Sequence, residues 1–118
     1  MILIVDNFDS FTFNLVQYIG SINNNLKIIK NNELSIEEIL DLNISHIVIS
    51  PGPGRPESSG VCLEIMKYMS KKTPILGICL GHQIIGYHFG AKIVNSKRIM
   101  HGKTSIINQN RKSKIFNC

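Results

Sequence analysis

The sequence predicts an α/β fold, an open, mostly parallel sheet with helices on both faces, and three observations carry that prediction. Four short apolar runs, at residues 2–5, 26–29, 46–50 and 75–78, alternate with longer amphipathic stretches. The β-α-β-α order that results is the signature of a parallel sheet with crossover helices. Each compositionally odd segment, at residues 6–10, 51–56 and 79–83, falls at the carboxyl end of one of those runs, where open α/β sheets collect their ligands.

Element by element, residues 2–5 are apolar without interruption, as a strand covered on both faces is. Asp9-Ser10 is a capping pair for a helix with Phe11, Leu15, Tyr18 and Ile19 as its apolar positions and Gly20 as its stop. Asn23-Asn24-Asn25 is a turn, and the second strand follows at 26–29. Ser35-Ile36-Glu37-Glu38 has the capping-box pattern of a short helix. The third strand is expected at 46–50. Residues 60–69 read as a helix with 61, 65, 66 and 69 facing inward, broken by Thr73-Pro74. The fourth strand, 75–78, leads into a helix at 80–89 closed by Gly90, and short strands and turns are expected after it.

A chain of 118 residues suffices for one domain that buries about two-thirds of its unfolded surface. With 43% hydrophobic and 18% charged residues it has the composition of an ordinary globular protein. No apolar run approaches the ~20 residues of a membrane span, and the opening lacks the basic and small-residue features of a signal peptide. A net charge of +5 is modest, and its clusters, Lys71-Lys72 and Arg111-Lys112-Ser113-Lys114, have no interleaved aromatics, so they read as solvated faces and no nucleic-acid partner is expected. The three cysteines, Cys62, Cys79 and Cys118, sit in unlike settings without metal-binding spacing. That excludes a structural metal and points to a reducing, intracellular compartment. The 21 Ile and 12 Asn against a single Ala match an AT-rich coding bias, as in a plastid or some bacterial cytoplasms.

Gly77-Ile78-Cys79-Leu80-Gly81 has the form G-x-C-x-G, a thiol version of the nucleophile elbow. Such an elbow turns a strand into a helix within one residue, needs small residues two before and two after, and lifts the side chain at its apex into solvent. It sets Cys79 at a helix N-terminus, where the dipole favours a thiolate, and it aims the Leu80 N–H at a developing oxyanion. Taken alone, a cysteine such as Cys79 is more often a small buried hydrophobe. A second segment, Ser50-Pro51-Gly52-Pro53-Gly54-Arg55-Pro56, fits neither helix nor ladder and holds a rigid bend whose Gly52 and Gly54 N–H groups can meet a ligand. Taken alone, it is equally an ordinary tight turn. A side chain at Gly52 is expected to block approach of the backbone to that ligand.

These two segments, with Gln83 and the opening Val5-Asp6-Asn7-Phe8-Asp9-Ser10-Phe11-Thr12, resemble the glutaminase subunits of anthranilate synthase and aminodeoxychorismate synthase among class I glutamine amidotransferases. The resemblance spans essentially the whole chain, as a partial amidotransferase domain over residues 1–118. It implies Cys79 as nucleophile, Gly52 and Leu80 as backbone oxyanion donors, and Gly52, Pro53, Gly54 and Gln83 as contacts for glutamine. It also implies loss of ammonia from the glutamine side chain, a γ-glutamyl thioester, and delivery of ammonia to a chorismate-using synthase partner, with no cofactor. Met100-His101-Gly102-Lys103-Thr104-Ser105 matches the same family near the mouth of the site.

The family pattern also contains a late His-Pro-Glu that assists the thiol, and no His-x-Glu occurs in these 118 residues. Of the histidines, His46 is expected at the far end of a strand, His82 and His88 on the helix behind the elbow, and His101 nearest the cleft. The chain taken by itself is therefore expected to lack glutaminase activity, either as part of a working enzyme or as a truncated, non-catalytic partner-binding module. A different class I amidotransferase, for carbamoyl phosphate or GMP synthesis, fits the Asp-Asn-Phe-Asp-Ser-Phe-Thr opening less well.

Overall fold

A computed structural model describes residues 1–97, 104, 106–108 and 115. Its sheet contains β1 (Ile2–Asp6), β2 (Leu26–Lys30), β3 (His46–Ile49) and β4 (Ile75–Gly77), ordered β2-β1-β3-β4. All three pairings are parallel. Between and after the strands come α1 (Thr12–Ile22), α2 (Ile36–Leu40), α3 (Cys62–Met69) and α4 (Leu80–His88), with a 3₁₀ turn at Pro56–Ser58. The predicted α/β architecture is the observed one.

Register explains the core. Val5 pairs with both Ile29 and Ile49, and Leu3 pairs with Ile47, so these side chains share one face of the pleat. They pack against Ile36 and Ile39 of α2, Ile65, Met66 and Met69 of α3, and Leu80 and Ile84 of α4. Each such side chain contributes roughly 1.5–3 kcal/mol on burial. The alternate residues Ile4 and Val48 are buried toward the opposite face. There Ile19 and Ile22 of α1 line an open apolar groove of about 490 Å³ with Ile2, Val48 and Leu76. Among the described residues three helices thus cover one face and one helix the other, which leaves Ile28 and Leu76 exposed on the thinner side.

The inward positions expected of the 60–69 helix hold, since Val61, Ile65, Met66 and Met69 are all buried. The capping box of α2 also forms: the Glu38 N–H donates to Ser35 Oγ, and the Ser35 N–H donates to Glu38 Oε2. The entry to α1 differs from expectation. Its N-cap is Phe11, because the Asp9 carboxylate closes a local turn by accepting from the Phe11 N–H at 2.9 Å. The helix also runs past Gly20 to Ile22. Phe11 and Tyr18, expected inside, are 64% and 72% exposed, because α1 packs loosely on its face of the sheet, with Thr12 its one buried residue and none of its side chains in the core cluster. Short strands expected after Gly90 are not present among the described residues there. Among the described residues no helix is long and apolar enough to cross a membrane, and no cluster of side chains could hold a metal.

Candidate active site

The carboxyl ends of the four strands lie along one edge of the sheet, and the parallel register sets what meets there. Ile49 pairs with Gly77, so Pro51 and Cys79 lie just beyond the paired ends of adjacent strands. Gly52 and Cys79, separate in sequence, are thereby brought to the same end of β3 and β4.

Cys79 is the residue between β4 and α4, and its backbone sits at φ 55°, ψ −107°. Side chains other than glycine rarely adopt such angles, at an expense of order 1–3 kcal/mol. The flanking glycines show why the chain accepts it. A Cβ on Gly77 would stand 2.3 Å from the Gly81 carbonyl oxygen, and one on Gly81 would stand 2.2 Å from the Ile49 carbonyl oxygen. Strand, turn and helix are packed backbone to backbone, and the apex residue is pushed outward. The Cys79 thiol is exposed and unpaired in any disulfide, as the elbow motif predicts. The Gly81 N–H donates to Ile78 O, and the Gln83 N–H donates to Cys79 O, both at 3.0 Å. Leu80 opens α4, where first-turn N–H groups have no carbonyl within their own helix to meet. Its side chain is buried in the core, which anchors that turn. Gln83 is half-buried near the start of the same helix.

The Pro-Gly-Pro-Gly bend follows β3 with Pro53 and Gly54 exposed and Gly54 at φ +84°. Gly52 is held from behind. A Cβ there would come within 2.5 Å of both Cβ and the carbonyl oxygen of Asn7. The expected reason for glycine at 52 is thereby corrected: a side chain would collide with the protein beneath the bend, and the ligand side is not what excludes it.

Beneath the bend lies a buried polar cluster to which the motif pattern assigned no role. Asn7, 2% exposed, donates from its backbone N–H to Ser50 Oγ at 2.9 Å and from Nδ2 to the Ser50 carbonyl at 3.0 Å. Asn7 Oδ1 accepts from Asn31 Nδ2 at 2.8 Å and from the Cys62 thiol at 3.4 Å. Burial pushes the Cys62 thiol up to about 12, against the opposing pull of its hydrogen bonds with Asn7 and Ser59, so it stays protonated. The legible signal in sequence was an amide one residue beyond the apolar run of a buried strand, a place where a polar side chain has to find partners inside. Beside the cluster, Asp6 Oδ1 accepts from Thr12 Oγ1 at 2.8 Å and from the Asp9 N–H at 3.2 Å, which ties the β1–α1 loop down.

Of the histidines, His46 opens β3 at the opposite end of the sheet, with Nδ1 3.1 Å from Ser45 Oγ. His88 ends α4, about 13 Å along the helix axis from Cys79, edge-on to Phe89. His82 is exposed in the first turn of α4. His101, Cys118 and most of the Met100–Ser105 segment lie outside the described residues.

Comparison with known proteins gives this geometry a family. The family model described as Glutamine amidotransferase class-I matches residues 3–118. The Bifunctional protein TrpGD of Thermotoga maritima is 54% identical over 113 residues, covering 94% of this chain and 19% of that protein. The Anthranilate synthase component 2 of Cyanophora paradoxa is 50% identical over 107 residues, covering 91% of this chain and 56% of that one. The Aminodeoxychorismate/anthranilate synthase component 2 of Bacillus subtilis is 47% identical, covering 96% and 58%. Among solved structures, a protein of Thermoplasma acidophilum described as a GMP synthase component superposes with a TM-score of 0.65 at 30% identity, over 82% of this chain and 48% of that one. The chain thus spans little more than half the length of the component 2 relatives it matches. By family model, sequence and fold together, the chain belongs to the class I glutamine amidotransferases.

Proposed function

We propose that this chain carries the nucleophile and oxyanion pocket of a glutaminase that supplies ammonia to a chorismate-using synthase. The observation that carries this reading is Cys79, exposed at the apex of an elbow whose two glycines are packed to backbone contact. In the proposed reaction the Cys79 sulfur attacks the side-chain amide carbon of glutamine. A C–S bond forms, and negative charge develops on the amide oxygen, facing the N–H groups of Gly52 and Leu80. The C–N bond then breaks, and the nitrogen leaves as ammonia carrying the proton that the thiol gave up. Water attacks the γ-glutamyl thioester through the same pocket, releasing glutamate and restoring the thiol. Gly52, Pro53, Gly54 and Gln83 hold the glutamine. Neither His46 nor His88 is placed to give the leaving nitrogen its proton.

The partner on this reading is the chorismate-binding component of anthranilate synthase, supported by relatives named component 2 of that enzyme. The Bacillus subtilis relative, whose name joins both activities, supports one glutaminase serving the aminodeoxychorismate enzyme as well. Cys79→Ser in the complete gene product, paired with the synthase component, tests the division of labour. Glutamine-dependent synthesis is expected to be lost while ammonia-dependent synthesis persists. Glutamine-dependent turnover near the parent rate would remove Cys79 from the nucleophile's role.

A further inference from the structure

The buried amide of Asn7 lies where the strand order reverses, between the carboxyl ends of β1 and β3. In open α/β sheets that position is ordinarily the ligand crevice. Here it is filled. Asn7 and Ser50 are joined by two hydrogen bonds across it, and the Ser50 hydroxyl, accepting from Asn7, donates onward to the Pro51 carbonyl at 2.7 Å. Gly52 follows at once, its Cα packed against Asn7 so closely that no Cβ would fit. Asn7 is itself held from two further elements, by Asn31 after β2 and by Cys62 at the start of α3. Asn31 in turn receives the Val61 N–H on its carbonyl at 3.0 Å and donates its own N–H to Asp6 O at 3.0 Å. Among the described residues no buried side-chain nitrogen or oxygen is left without a partner, so the cluster is complete without a ligand.

We infer that Asn7 is a positioning residue: without touching glutamine, its side-chain amide fixes the Ser50–Gly52 backbone and so aims the Gly52 N–H at the oxyanion. The inference rests on the glutaminase reading above and adds to it the part that holds the pocket in shape. A fully satisfied polar network specifies one geometry more sharply than apolar packing does. A donor whose carrier is set by four converging elements is preorganised, and preorganisation is what an oxyanion hole requires. Asn7 also sets the division of space at this end of the sheet. By closing the crevice between β1 and β3, it leaves the β3–β4 side, where Cys79 stands, for the substrate.

The test compares two reactions of the same thiol. Attack on glutamine builds an oxyanion, whereas alkylation by iodoacetamide displaces iodide and builds none. The complete gene product is assayed as wild type, Asn7→Asp and Ser50→Ala. Asn7→Asp keeps the shape and the Oδ1 acceptor but loses the donor to Ser50 O, and Ser50→Ala removes the hydroxyl while keeping the backbone. The expected result is a fall in kcat for glutamine of at least ~10-fold, given that losing an oxyanion donor outright typically lowers the rate ~10²–10³-fold. Alkylation of Cys79 should stay within about 2-fold of wild type, with Cys62 remaining unlabelled as a sign that the fold is intact. Glutamine turnover in both variants within about 2-fold of wild type would overturn the inference. So would a parallel loss of both reactions, or labelling of Cys62 in both variants, since either marks Asn7 as merely structural. If the wild type released no ammonia from glutamine, the glutaminase reading would fall and this inference with it. An active wild type with indifferent variants would sink the inference alone.

Discussion

Two glycines in α4 should respond in opposite directions to the same substitution. Gly81 and Gly86 are both helical, and replacing glycine with alanine inside a helix is favourable by about 0.8–1 kcal/mol on propensity alone. At Gly86 the new methyl would meet only the Ala91 Cβ, at 3.6 Å, so the propensity gain stands and Gly86→Ala should stabilise by roughly 0.5–1 kcal/mol. At Gly81 the methyl would lie 2.2 Å from the Ile49 carbonyl oxygen, and ordinary contact near 3.4 Å requires the helix to move about 1.2 Å off β3. That obstacle is backbone on both sides, so no rotamer change relieves it. Overpacking of this kind costs about 1–3 kcal/mol, which exceeds the propensity gain at a first-turn position. The two variants should differ by roughly 1.5–4 kcal/mol. Denaturant unfolding followed by circular dichroism gives both values on one scale. Gly81→Ala should also change the rate of Cys79 alkylation, because the helix start moves with it. A Gly81→Ala chain as stable as Gly86→Ala would refute the close packing on which the elbow argument depends.

Other perturbations have equally definite outcomes. On the glutaminase reading proposed above, Gly52→Ala in the complete gene product pushes the bend away from Asn7, and a shift of about 1 Å in a donor should lower glutamine turnover by ~10²-fold with little change in the far-ultraviolet spectrum. Cys62 keeps its proton in the fold up to about pH 12 but ionises near 9.0 once unfolded. Its contribution is therefore complete below pH 9 and falls by about 1.4 kcal/mol per pH unit from there toward pH 12. Unfolding curves of wild type and Cys62→Ala should converge over that range, and parallel pH profiles would contradict the burial of the thiol. Ser35→Ala removes one half of the capping box and should destabilise by about 1 kcal/mol in the same unfolding assay.

Much of this arrangement could be read from the chain because its constraints are steric and local. The G-x-C-x-G spacing is legible since backbone contact at both glycines admits no other residue, and the four apolar runs are legible since each strand is flanked by helices or neighbours. The exposure of α1 was not. Phe11 and Tyr18 fit an apolar stripe at helical spacing, but how much of such a stripe is buried depends on what packs over it in the fold, and no local pattern encodes that. The Asn7 cluster was half legible. An amide at the end of a buried strand announces that it needs partners, but the partners are 24, 43 and 55 residues away, and only the closed topology brings them together. The reason for glycine at 52 was read on the wrong side of the bend for the same cause: Asn7 lies beneath it through tertiary contact alone.

The positive φ at Cys79 has a consequence for how such a chain ages once selection on its chemistry relaxes. Glycine adopts that backbone region without penalty, so replacement of the cysteine relieves conformational strain even after allowing for the greater freedom of glycine in the unfolded chain. The same holds in the loop after β1 at Phe8, at φ 61°. Mutational drift at residue 79 therefore runs downhill in folding free energy, while selection for turnover runs uphill against it. On the proposed role of Cys79, a lineage that keeps cysteine at the apex is one in which the reaction is still being used, and a lineage that abandons it should arrive at glycine more often than codon supply alone would give.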